Sequence, residues 1–190
     1  MVASVANGGV RWGSVLRTVA WGGAGLLLLL PLVAMQFTTE VNWGPEDFLV
    51  MGVLLAGCAG TVHLATRLTD DFAYLAGVVI AVGTAFMLVW INLAVGFIGG
   101  EGNPANLMFG GVILVAAIGS AAARFRPRGM ARAMLAAAAV EGAIVAIVWF
   151  GGLGAMEPPG PERLLALTSL FAVPWLVAAA LFNASVRKQG

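Results

Sequence analysis

Six long apolar runs separated by short polar stretches make up most of the chain, at approximately 19–37, 48–66, 73–98, 106–125, 133–152 and 164–183. Each is near the ~20 residues that a helix needs to cross a ~30 Å hydrocarbon layer. Backbone in lipid must satisfy its own polar groups, so uninterrupted apolar runs of this length read as helices. The pattern predicts an all-α, polytopic membrane protein, with one transmembrane domain over 1–190 built as a bundle of six helices. The third run is the longest, which leaves room for tilt or for projection beyond the bilayer.

The polar stretches alternate in charge. Arg11 and Arg17 precede the first run, and 38–47 holds Glu40, Glu46 and Asp47 with no cation. Arg67 stands beside Asp70 and Asp71, Glu101 is alone in 99–105, and 124–132 carries Arg124, Arg126, Arg128 and Arg132. The fifth link has Glu157 and Glu162 against Arg163, and the tail ends on Arg187 and Lys188. Positive loops stay on the cytoplasmic side, so the expected topology is N-in/C-in with the arginine-rich turn inside.

Composition agrees with this reading: 61% of residues are hydrophobic, 10% are charged, and the mean hydropathy is +0.97. Soluble domains carry roughly 25% charged residues, and no soluble core of this size would hide so much apolar surface. A net charge of +1, with no basic run interleaved with aromatics, gives no sign of a nucleic-acid partner. Cys58 is the sole cysteine, so no disulfide or thiolate metal site forms within one chain. The first run is too long for a signal-peptide core and is expected to remain as a span.

Local signals mark the helix ends. Asn103-Pro104 is a capping residue followed by proline at the first helical position. Pro127 is expected to help stop the fourth helix, while Pro31 and Pro174 fall inside helices and should loosen them. Gly99, Gly100 and Gly102 would supply the positive φ of a tight reversal, making the third and fourth helices antiparallel neighbours.

Few residues suggest chemistry. Glu141 falls ~12 Å inside the start of the fifth run, near mid-bilayer, where an acidic group costs about 3 kcal/mol. The same depth count brings Thr84 to its level, with His63 about one turn nearer the cytoplasm, so these three form a candidate intramembrane polar site. A neutral, hydrogen-bonded core acid competes with a proton or cation relay as the reading of Glu141, and the neutral acid is favoured. A single histidine supplies neither bis-histidine haem ligation nor a three-ligand zinc site.

On the outer side, Glu40, Asp47, Asn92, Glu101 and Asn103 form a second candidate set. Their oxygens are the hard ligands that Ca²⁺ or Mg²⁺ prefers, but their spacing matches no known loop, and outer loops carry acids by topology alone. The methionines of the outer half lack the clustering of a copper(I) site. No hydrolase, zincin or phosphate-loop motif is present, so an enzyme is the least favoured class and no cofactor is expected.

The strings Val33-Ala-Met-Gln-Phe-Thr-Thr-Glu-Val-Asn-Trp43, Asp47-Phe48, Trp90-Ile-Asn-Leu-Ala-Val-Gly96 and Glu101-Gly-Asn-Pro-Ala-Asn-Leu-Met108 resemble a family of small, uncharacterised bacterial inner-membrane proteins. The resemblance covers roughly residues 30–135. It implies a bacterial cytoplasmic membrane, and it carries over no activity and no site residues.

These features favour an accessory or partner-binding membrane subunit, surrounded by lipid and pairing with another membrane protein or with itself. The alternative is a small cation- or proton-handling transporter or channel that uses Glu141 and the acidic outer face.

Overall fold

The computed structural model of the chain describes residues 12–98, 102–151 and 161–187. All regular structure among them is helical: α1 (Trp12–Ala34), α2 (Pro45–Leu68), α3 (Phe72–Ala94), α4 (Met108–Ala122), α5 (Pro127–Gly151) and α6 (Pro161–Arg187), with a 3₁₀ turn at Pro104–Leu107 that leads into α4. Six helical segments are long and apolar enough to cross a membrane. The chain is a multi-pass, all-α protein of membrane composition. Its helices cluster into two compact units, Met1–Asp70 and Asp71–Gly190.

The first unit is the hairpin α1–α2. The start of α2 follows from three adjacent choices in the sequence. Pro45 occupies the first helical position, where its missing N–H costs nothing. The Asp47 carboxylate reaches back to accept from the Gly44 N–H at 2.9 Å. Trp43 and Phe48 pack edge to face with ring centroids 5.3 Å apart, a hydrophobic staple between the residue before the cap and the fourth helical position. In α1, by contrast, the only buried residue is Gly13, and the helix runs straight through Pro31 without ending there.

In the second unit α6 packs along both α3 and α5, and α4 packs along α5. α3 and α4, expected as close neighbours, touch only lightly. The reason lies at the end of α3, which stops at Ala94 instead of running to residue 98. Gly96 adopts φ 68, and its N–H turns back to the carbonyls of Ile91 and Asn92. Phe97 and Ile98 then fold inward and are 1% and 2% exposed. The Phe97 ring lies 4.6 Å from Phe109 of α4 and 5.7 Å from Phe171 of α6. Burying two hydrophobic side chains at the mouth of the unit outweighs one more helical turn in lipid. The reversal therefore uses Gly96, Gly102 has no positive φ, and Gly99 and Gly100 lie outside the described residues.

Pro127 also differs from expectation. It is the first residue of α5, and α4 ends because Arg124 and Phe125 take left-handed conformations at φ 50 and 57. A non-glycine residue there is uncommon and must be held in place. Tyr74, buried in α3, does so by donating its hydroxyl to the Phe125 carbonyl at 2.7 Å while its ring packs against Phe182 of α6. At the neighbouring helix contact, a Cβ on Gly119 would lie 2.9 Å from the Ala133 Cβ, so α4 and α5 approach as closely as glycine allows.

Candidate functional site

The interior acid stands where α5 faces α6. Glu141 lies ~21 Å along α5 from Pro127 at ~1.5 Å per residue, well inside any bilayer that the helix crosses. Its side chain is 0% exposed. The partner presented to it is the indole N–H of Trp175, itself 1% exposed and one residue beyond Pro174 in α6. Neither carboxyl oxygen of Glu141 nor Nε1 of Trp175 closes a hydrogen bond. A charged carboxylate without bonded partners in this setting is costly, whereas a protonated acid has a donor of its own and suits an apolar surround.

Thr84 is also buried in the same unit, but its hydroxyl donates to the Ile80 carbonyl at 2.7 Å, one turn back in its own helix. Its polarity is thereby used within α3. His63 belongs to the first unit, and its environment is basic. Trp21 Nε1 approaches its Nδ1 at 3.2 Å, and Arg67 Nε approaches its Nε2 at 3.0 Å. A neutral imidazole has only one acceptor nitrogen, so the two donors bond to alternative tautomers and a protonated ring accepts from neither. Beside it Arg17 donates to Thr66 Oγ1 at 3.2 Å. The Trp21–His63 and Arg17–Thr66 contacts tie α1 to α2.

Three asparagines of the second unit form one network, and its centre is Asn106. Asn106 is 4% exposed. Its Oδ1 accepts from the N–H groups of Phe97 and Ile98 at 2.9 and 2.8 Å, and its Nδ2 donates to the Ile98 carbonyl at 3.2 Å. These are the backbone groups that the inward fold of 97–98 would otherwise leave orphaned. Asn92 Nδ2 donates to the Asn106 carbonyl at 3.1 Å, and Asn103 Oδ1 caps the 3₁₀ turn by accepting from Ala105 N–H at 2.9 Å. Asn92 and Asn103 therefore stabilise the turn at the mouth of the unit.

Glu101 lies outside the described residues. In the first unit Glu40 is exposed and its N–H bonds to Thr38 Oγ1, while Asp47 is the α2 cap. Among the described residues no three histidine, cysteine, aspartate or glutamate side chains converge on one point.

Asn106 stands in the same polar stretch as Asn92, Glu101 and Asn103 but was not among the candidate site residues. Its signal was its place three residues after a capping asparagine, from which a side chain can reach back over the incoming loop. Comparisons with protein-family models, curated proteins and solved structures find no match to this chain.

Proposed function

We propose that the protein is an accessory subunit of a bacterial inner membrane. Both termini and the arginine-rich turn would lie on the cytoplasmic side, and its first hairpin would dock against a helix of another membrane protein or of a second copy. The observation that carries this reading is the bare face of α2. Val53, Gly57, Thr61 and Leu64 follow one another at helical spacing, and all four are exposed. A Cβ added at Gly57 would meet no atom within 4 Å. Thr61 bonds back to the Gly57 carbonyl at 2.8 Å, so its hydroxyl is already satisfied. Small residues flanked by branched apolar ones allow two helix backbones to approach closely in lipid, where packing takes the place of the hydrophobic effect.

The test is Gly57→Leu in the tagged, detergent-extracted protein. Open space at Gly57 means that the chain's own thermal stability should stay unchanged. A co-purifying polypeptide, or a second, differently tagged copy, should be recovered at least tenfold less. Recovery that is unaffected by Gly57→Leu and by the double change Val53→Ala with Leu64→Ala would overturn the reading.

Glu141 supports a second reading, proton or cation handling, through its complete burial with both oxygens unbonded beside Trp175. In proteoliposomes an ion or proton flux carried by the protein should vanish in Glu141→Gln. Flux that persists at the wild-type rate removes Glu141 from any such role.

A further inference from the structure

The start of α5 and the end of α6 enclose a groove of about 500 Å³. Three guanidinium groups line it: Arg128 and Arg132, one turn apart on α5, and Arg187 in the last turn of α6. Asn183 adds an amide, and Leu135 and Val186 add apolar wall. None of the three arginines has a hydrogen-bond or ion-pair partner among the described residues. Three like charges thus share one groove, and no carboxylate is among the described residues that line it. From this juxtaposition we infer that the α5–α6 groove binds the headgroup of an anionic phospholipid.

The placement along the helices selects lipid over a soluble anion. α5 and α6 have 25 and 27 residues, hence lengths of ~37 and ~40 Å, longer than a ~30 Å hydrocarbon layer. Their arginine-bearing ends therefore reach the headgroup level. Leu135 lies ~10 Å farther into the bilayer along α5 than Arg128, and it is 46% exposed. The groove consequently offers cationic donors at phosphate depth, with an apolar side chain below them at acyl-chain depth. Guanidinium forks bind phosphate oxygens in pairs, which an ammonium does not do. Basic pockets between transmembrane helices are a recognised mode of lipid-headgroup capture. A groove of this volume lies within the ~300–1,000 Å³ range of small-molecule sites.

The experiment uses the full-length protein in detergent, titrated with phosphatidylglycerol or phosphatidylcholine and read by native mass spectrometry and thermal unfolding. Phosphatidylglycerol should form a discrete adduct and raise the melting temperature, while phosphatidylcholine should do neither at equal concentration. The triple variant R128Q/R132Q/R187Q should bind phosphatidylglycerol at least tenfold more weakly, and R124Q/R126Q, which removes two arginines outside the groove, should bind like wild type. The single variant R132Q, with a partial loss of several-fold, serves if the triple variant does not fold. Equal loss in R124Q/R126Q would show general charge attraction and overturn the site. Equal binding of phosphatidylcholine, or displacement of the lipid by millimolar inorganic phosphate, would overturn the assignment to an anionic lipid.

Discussion

Asn106 sets the geometry of the chain between α3 and α4 with one side chain. Phe97 and Ile98 are drawn inward by aromatic packing, and that movement buries two N–H groups and a carbonyl away from the α3 ladder. A buried backbone group without a partner costs about 1–3 kcal/mol, so the inward fold is tenable only with a side chain that both accepts and donates. Asparagine does both. Asn106→Ala should lower stability by on the order of 3 kcal/mol or more, read as a fall in detergent melting temperature and faster proteolysis near residue 98. Asn106→Asp keeps the two acceptor bonds but sets a buried carboxylate oxygen against the Ile98 carbonyl, so it should also be less stable than wild type. An alanine variant as stable as wild type would mean that the inward fold does not depend on this residue. In the sequence Asn106 stands only as the first residue of the fourth apolar run. Its role depends on Phe97 leaving the helix, which hydropathy cannot register because a buried loop phenylalanine and a helical one look alike.

At the scale of elements, the spans were legible because length and apolarity alone define them. Asn103-Pro104 was legible too, since a cap is a local event. The expected ends of α3 and α4 were misplaced for a common reason. Gly96 and the left-handed pair Arg124-Phe125 are fixed by contacts far along the chain, Phe171 for the first and Tyr74 for the second. Helix pairing was equally hidden, because short loops suggested that α3 pairs with α4, whereas α6 is the element that packs along both α3 and α5. Glycine contacts give this packing a direct test. Gly119→Ala would put a methyl group 2.9 Å from the Ala133 Cβ, and no side-chain rotation relieves that contact. It should cost about 1–3 kcal/mol, the usual range for overpacking. Gly83→Ala, in α3 with nothing within 4 Å of its Cβ, should be neutral. Equal melting temperatures for the two variants would show that α4 and α5 are less closely apposed than this geometry requires.

At the scale of the whole molecule, the arginine-rich turn links topology to the proposed lipid groove. Arg124 and Arg126 are exposed at the end of α4, and Arg128 and Arg132 continue the same basic stretch into α5. The positive-inside rule assigns this stretch to the cytoplasm, and the Glu40–Asp47 segment to the opposite side. Single cysteines test the assignment once Cys58 is replaced. Gly129 is unsuitable as a reporter because a Cβ there would overlap the Ala123 methyl group. Arg126 is exposed, as are Thr39 and Gly102, and at Gly102 an added Cβ meets open space. Cysteines at Thr39 and Gly102 should react with a membrane-impermeant thiol reagent in intact spheroplasts, and one at Arg126 only after lysis. Labelling at Arg126 in sealed cells, with Thr39 and Gly102 protected, would invert the orientation and move the α5–α6 groove to the outer leaflet. Labelling of all three in sealed cells would contradict the single crossing, by α4, that separates Gly102 from Arg126, and with it the six-span topology.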